Sequence, residues 1–336
     1  MEPRQPLVIA FIYDSFSHYR SLGFSVEDCL EFDSDESIES TIQSMRACGH
    51  EVVPISGIKQ LVKCIADEQH KSWDLAFSMA EGMYGAGREA QVPGLLEAYE
   101  VPHVFSDAAT TALCHDKGRT KIILEHFGIP TAPFAIIPAS WPDNDDASLT
   151  QLIENSPYAQ ALKEYPLFIK PACEGSSKGI YSFSKVESFD DFLTGPEYSV
   201  SIVGTGRSAR VIGTARLDWV TPGSELYHIL DRETGAELDY PCSVVDEHTD
   251  PLTQRLETLA LQTWRALELR DLGRVDMRFD LNGKLYVLEV NAIPGMRPNW
   301  STLPRTAEHR GMNHQQLIAA MLDSAIQLYP HLRGGK

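Results

Sequence analysis

The chain is predicted to be α/β in its first third and α+β thereafter, and three observations carry that prediction. Residues 7–105 alternate short apolar runs with helical patterns, as in a parallel sheet covered by helices. Residues 165–183 read as a strand, a small-residue loop and a strand, and residues 273–291 (GRVDMRFDLNGKLYVLEVN) read as a hairpin. A length of 336 residues holds two or three units at roughly 100 to 200 residues each. The breaks are expected at 1–106, 107–200 and 201–336.

In chain order, the strands of the first unit are LVIAFIY, EVVPI, DLAFSMA and VPHVF, with helices at 37–48, 57–68 and 88–99. The acid-rich stretch 27–39 is expected to be a solvated loop and helix start. Residues 81–94, EGMYGAGREAQVPG, follow the third strand at the sheet edge where open α/β sheets bind ligands. Asp116-Lys117 opens a helix that Gly128 stops. PTAPFAIIP reads as a strand and 148–164 as a helix.

The loop after Lys170, Glu174-Gly-Ser-Ser-Lys178-Gly179, can place N–H groups, hydroxyls and a lysine around a polyphosphate. It is not a Walker A loop, because the spacing differs and a strand follows it. Gly204, Gly206 and Ala209 match a loose dinucleotide fingerprint, but the β-branched alternation after them reads as a hairpin partner rather than a helix. Residues 221–248 are polar and long enough for a lid. A helix at 251–269 leads into the hairpin, NAIPGMRPNWSTLP follows it as a loop, and 313–329 is a closing helix.

The hairpin fixes a register. Asn282-Gly283 favours a two-residue type I′ loop, so Leu281 pairs with Lys284, Asp276 lies opposite Glu289, and Arg274 opposite Asn291. These four residues share one face. The other face pairs Val275 with Val290, Met277 with Leu288 and Phe279 with Tyr286. Opposed carboxylates, with β-carbons ~5 Å apart, repel unless a positive group lies between them. Asp276, Glu289 and the Asn291 amide oxygen therefore form a cage for a hard cation such as Mg²⁺, with Mn²⁺ an alternative.

The net charge of −18 argues against nucleic acid as a partner. Six cysteines without a CxxC pair read as free thiols in a reducing cytoplasm. The N-terminus lacks the features of a secretory signal, and no run approaches the ~18 apolar residues of a membrane span. A homodimer is compatible with the sequence.

HDKGRTK with Lys117, FIKPACEGSSKGI with Lys170, GPEYSV with Glu197, and GRVDMRF through LEVNAIPGM together resemble the ATP-grasp superfamily, and within it the D-alanine:D-alanine ligases. The resemblance implies an ATP-grasp fold behind an N-terminal Rossmann-like (pre-ATP-grasp) domain. It implies ATP between two small α+β units, with Lys117 and Lys170 on its phosphates. The loop of Glu174, Gly175, Ser176 and Ser177 covers those phosphates, Ser176 also serving catalysis. Glu197 binds the ribose, and Asp276, Glu289 and Asn291 carry two Mg²⁺. The activity implied is an ATP-dependent ligase joining two amino acids, or an amino acid and an amine, through an acylphosphate. Arg274 stabilises the oxyanion, Gly295 contributes an N–H to it, and Ser301 holds a substrate carboxylate.

The chain also departs from the family. Between Ser184 and Glu197 it is too short for the usual helix and purine-hinge strand, so Asp190, Phe192 and Leu193 are left unassigned. The lid's lysine-tyrosine pair is missing from 221–248, where Tyr227, Asp231 and Arg232 stand instead. YDSFSHY lacks the usual glycine-rich turn, and Glu81 stands where a histidine is common. These positions face the amino acids, so an altered substrate pocket is expected. The alternatives are a true cell-wall D-alanine:D-alanine ligase and a catalytically inactive ATP-binding regulator.

Overall fold

The structure is a computed structural model that describes residues 5–138, 146–163, 167–176, 178, 185–186, 197–217, 242–245, 252–280 and 283–332. The expectations for Ser177, Asp190, Phe192, Leu193, Tyr227, Asp231, Arg232, Leu281 and Asn282, and most of the lid, lie outside these residues.

The first unit holds a three-stranded parallel sheet in the order β2-β1-β3, formed by β1 (Val8–Tyr13), β2 (Glu51–Ser56) and β3 (Leu75–Met79). The expected fourth strand is only an isolated bridge between Ala76 and His103. Its helices are α1 (Phe16–Ser21), which the sequence reading missed, α2 (Asp35–Ala47), α3 (Gly57–Ala66) and α4 (Gln91–Ala98), the last preceded by a single 3-10 turn at Arg88–Ala90. Helix α2 starts where Ser34 caps the Ser37 N–H. It buries Ile38, Thr41, Ile42 and Met45, a stripe at the i, i+3, i+4, i+7 spacing of an amphipathic helix.

Next come α5 (Ala108–His115), also missed, and α6 (Lys117–His126), whose Asp116 cap accepts the Arg119 N–H. PTAPFAIIP does not form the expected strand. Three prolines, Pro130, Pro133 and Pro138, lack ladder donors, and only Thr131 bridges to Val287. Helix α7 (Asp146–Glu154) is shorter than expected, and β4 (Leu167–Phe168) pairs antiparallel with β5 (Lys185–Val186).

A five-stranded antiparallel sheet, in the order β10-β9-β6-β7-β8, forms the remainder with β6 (Glu197–Val203), β7 (Arg210–Leu217), β8 (Cys242–Val245), β9 (Leu272–Phe279) and β10 (Leu285–Asn291). The hairpin reading of residues 204–206 holds, because β6 and β7 pair antiparallel across it. Residues 242–245, within the stretch expected to be a lid, form the edge strand β8. Helix α8 (Thr253–Ala266) buries Trp264 against this sheet. Helix α9 (Thr302–His309) starts inside the expected loop, its Pro304 falling in the first turn where no N–H partner is lost. Helix α10 (His314–Leu328) opens on the Asn313–Gln316 capping box and packs with α2. Its Leu317, Ile318, Met321 and Leu322 join Phe11 and Phe77 of the first sheet and Leu272 of β9 in one apolar cluster.

The hairpin departs from its expected register near the turn. The Asp280 N–H donates to the Lys284 carbonyl and the Gly283 N–H to the Asp280 carbonyl, both at 2.9 Å, so the loop has three residues and closes on Gly283 in the left-handed region. Met277 therefore pairs with Val287 rather than Leu288, and Phe279 with Leu285 rather than Tyr286. A bulge at Leu288 restores the expected phase, so Glu289 does oppose Asp276 and Asn291 does oppose Arg274.

Asp271, just before β9, links the segment at Phe105 to α10. Its fully buried carboxylate accepts the Phe105 N–H at 2.9 Å and the Ser324 hydroxyl at 2.8 Å. Burial pushes its carboxyl up to about 6 from the ordinary 3.8, against Arg270. The folded chain therefore holds a proton that the unfolded chain releases, so this group makes stability fall as pH rises from about 4 to about 6. The loss is at most roughly 3 kcal/mol at ~1.4 kcal/mol per pH unit. Urea unfolding at pH 4 and pH 7 is expected to show a smaller pH-dependent loss in Asp271→Asn than in the wild type; equal losses would exclude Asp271 as the source.

Candidate active site

Alternation along three adjacent strands builds the site. On β9, Arg274, Asp276 and Arg278 point to one face. The β6 register sets Ser201, Ser199 and Glu197 opposite them, and β10 supplies Asn291 and Glu289 on the other side. Asp276 is buried. It accepts the Ser199 hydroxyl at 2.5 Å, Asn291 Nδ2 at 2.7 Å and an Arg274 guanidinium nitrogen at 3.2 Å. Burial pushes its carboxyl up, and Glu289 adds to this against the pull of Arg274. The Asn291 amide thus presents its nitrogen to Asp276, not the oxygen expected of a cage; a half-turn of the amide exchanges the two.

Glu289 lies 3.6 Å from Lys117 Nζ and 3.8 Å from Lys170 Nζ. Burial works to raise its carboxyl, but Lys117, Lys170 and Arg274 outweigh it and hold the group down at about 2. Burial in turn lowers the Lys170 ammonium, with Lys117 adding to this and Glu289 opposing it. Glu197, at the start of β6, lies 3.4 Å from an Arg278 nitrogen. Burial pushes its carboxyl up to about 7 despite Arg278, with Asp276 and Glu289 adding to the rise.

Lys117 is the first residue of α6, so the Asp116 cap fixes its direction. Its backbone N–H donates to the Ala172 carbonyl at 3.0 Å and its Nζ to the Glu174 carbonyl at 2.6 Å. The glycine-serine loop is thereby tied to the same helix start that faces Glu289. Ser176 sits in the left-handed region at φ 46°. Beyond β10, Gly295 and Ser301 come together: a Cβ at Gly295 would lie 2.9 Å from the Ser301 Oγ. That Oγ accepts the Arg297 N–H at 3.2 Å, and the Arg297 side chain reaches Glu36 at 2.6 Å.

Glu81 follows β3 among other acids. Burial, then the charges of Glu89, Glu31 and Asp33, push its carboxyl well above the carboxylate range, against Arg88. The acid-rich stretch is accordingly not wholly solvated. The Glu31 side chain is 4% exposed, and burial pushes Asp33 up to about 7. Glu89 pairs with the buried His115 Nδ1.

Ser199, Arg278, Arg88 and Glu31 contact the proposed site residues but were missed in the sequence. The first two had a signal, since each alternates in phase with a residue already singled out. Among the described residues no group of three or more His, Cys, Asp or Glu side chains forms a metal site. The set expected to hold a cation, Asp276, Glu289 and Asn291, is two carboxylates and an amide, and would leave further oxygens to a ligand. All six cysteines are free, and no described helix is long and apolar enough to cross a membrane.

Residues 123–323 match the family model described as D-ala D-ala ligase C-terminus. The D-alanine–D-alanine ligase of Xanthomonas axonopodis pv. citri (strain 306) is 28% identical over 297 residues, covering 85% of this chain and 88% of that protein. The crystal structure of the Bacillus anthracis D-alanine–D-alanine ligase complexed with ATP superposes with a TM-score of 0.65 at 21% identity, covering 98% of this chain and 100% of that one. The VanG D-Ala:D-Ser ligase of Enterococcus faecalis gives 0.64 at 19% identity, covering 96% and 100%. At these identities the structural likeness shows the ATP-grasp fold.

Proposed function

The chain belongs to the D-alanine–D-alanine ligase family through its C-terminal region, an enzyme of the ATP-grasp ligases, and we propose that it joins two amino acids, or an amino acid and an amine, through an acylphosphate. The observation that carries this reading is the shared face of Arg274, Asp276, Glu289 and Asn291, with Lys117 and Lys170 converging on Glu289. A nucleotide-binding regulator has no use for a guanidinium beside that face, which disfavours the inactive reading. Six free thiols and an amino-acid substrate pool support a cytoplasmic location.

In this mechanism a substrate carboxylate oxygen bonds to the γ-phosphorus of ATP as the bond to ADP breaks. The amine of the second substrate then bonds to the acyl carbon, phosphate leaves with its C–O electron pair, and the nitrogen gives up a proton. Lys117 and Lys170 neutralise charge on the phosphates, and the 174–178 loop supplies N–H donors to them. Glu197 accepts from the ribose. The guanidinium of Arg274, with the Gly295 N–H, stabilises the tetrahedral oxyanion, and Ser301 holds a substrate carboxylate. Asp276 and Glu289 fit Mg²⁺ as opposed hard carboxylates, and Asn291 would join them once a half-turn of its amide brings the oxygen round. Bound there, one or two ions would supply charge neutralisation during phosphoryl transfer.

The substrate follows from Glu81. Glu89, Glu31 and Asp33 help push the Glu81 carboxyl up, and an ammonium or other cation would relieve that mutual repulsion where a free carboxylate would add to it. A site built on such polar contacts rejects an analogue lacking the partner by ~10⁴ or more. D-Alanine with D-alanine is therefore expected to be a poor pair, and an amino acid or amine bearing an added cation a better one. The second reading, a true D-alanine:D-alanine ligase, draws support from the Xanthomonas relative's name. Phosphate release across a panel of D- and L-amino acids with Mg-ATP, with products identified by mass, decides between them. A D-alanine pair with by far the highest kcat/KM would restore the second reading.

A further inference from the structure

Residues 173–178 meet the N-terminal unit at Glu31. Arg88, itself buried, sits 2.6 and 2.8 Å from the two Glu31 oxygens. The same guanidinium donates to the Cys173 carbonyl and to Glu174 Oε2, each at 2.8 Å. Arg88 therefore fixes Glu31 against the stem of the glycine-serine loop, 144 residues away from Gly175 in sequence. Glu31 Oε1 accepts the Gly175 N–H at 2.5 Å. Lys178 Nζ lies 3.9 Å from Glu31 Oε2 and 3.3 Å from Glu174 Oε2. A Cβ on residue 175 would come 2.9 Å from Glu31 Oε1, so glycine is what allows this approach.

An anionic oxygen on a loop N–H, with a lysine ammonium close by, is the setting a nucleotide phosphate oxygen takes in such a loop. We propose that Glu31, positioned by Arg88, stands in for a phosphate oxygen at Gly175 and must be displaced when nucleotide binds. Glu31 is thus a positioning residue that sets the nucleotide affinity of the loop. The inference rests on the reading of 174–178 as phosphate-facing. The Glu31 hydrogen bond is charge-assisted, roughly twice as strong as a neutral one, and an ionised Glu31 also repels incoming phosphates. Removing its charge weakens the competitor while the amide of Gln can still accept from Arg88.

The test is titration calorimetry of the full chain with Mg²⁺ and the non-hydrolysable analogue AMP-PNP, alongside thermal unfolding. Glu31→Gln is expected to bind AMP-PNP about ten-fold more tightly than the wild type. Glu31→Asp is expected to move the same way, because it retains the charge opposite Arg88 and withdraws by one methylene from Gly175. It also serves as the deciding variant if Gln disturbs the fold. A merely structural Glu31 would give no gain in affinity. Unchanged or weaker binding in a folded variant would overturn the proposal while leaving the phosphate-facing loop intact. No binding by the wild type would overturn the loop reading and the proposal together.

Discussion

Asp276→Asn and Glu289→Gln are each expected to lower ligase turnover by orders of magnitude while leaving the fold in place. The two carboxylates face one another across β9 and β10, an arrangement that is repulsive unless a cation lies between them. Without metal, neighbouring cations carry that burden: Arg274 sits 3.2 Å from Asp276, and two lysines within 3.8 Å of Glu289 hold its carboxyl down at about 2. Exchanging either acid for its amide keeps volume and hydrogen-bonding shape but removes a charged ligand from the set that would hold Mg²⁺. The measurement is amino-acid-dependent phosphate release over a Mg²⁺ titration, with circular dichroism and thermal unfolding as fold controls. Near wild-type activity of both variants at low Mg²⁺ would remove Asp276 and Glu289 from the cation site.

The face that carries this chemistry was legible because strand alternation is a local rule: four residues read from one hairpin oppose one another in pairs. The turn was less legible. Asn-Gly fits a two-residue loop, yet Gly283 closes a three-residue one, and the extra residue is absorbed by a bulge at Leu288. The adjacent apolar pair Val287-Leu288, which breaks the alternation, was its trace. PTAPFAIIP looked like a strand by composition, but its prolines cannot complete a ladder.

What the sequence concealed depends on long-range contact. Nothing in the acid-rich stretch sets Glu31 apart from its neighbours, and only the fold brings it to Gly175. Burial then changes what these acids are. Asp33 and Glu197 are both pushed up to about 7, so a count of formal charges overstates the negative charge around the site. Ser199 was half-legible: it alternates in phase with Glu197, but its contact with Asp276 requires the β6–β9 register, which joins segments 77 residues apart.

Arg274→Lys is expected to reduce turnover at saturating substrates by ~10² to 10³, the usual cost of losing one preorganised oxyanion donor, while nucleotide affinity stays within a few-fold of the wild type. Arg274 is held between Asn291 on β10 and Ser201 on β6, with one nitrogen 3.2 Å from Asp276. A guanidinium so placed can keep its contact with Asp276 through one nitrogen and direct others toward a developing oxyanion. Lysine retains the positive charge but not the rigid fork, so it cannot serve both at once. The contacts assigned to the phosphates come from other residues, Lys117, Lys170 and the 174–178 loop, so binding and turnover should separate. Single-turnover kinetics together with AMP-PNP titration measures the two independently. Loss of nucleotide affinity with unchanged turnover at saturation would move Arg274 out of the amine-attack step and into nucleotide binding.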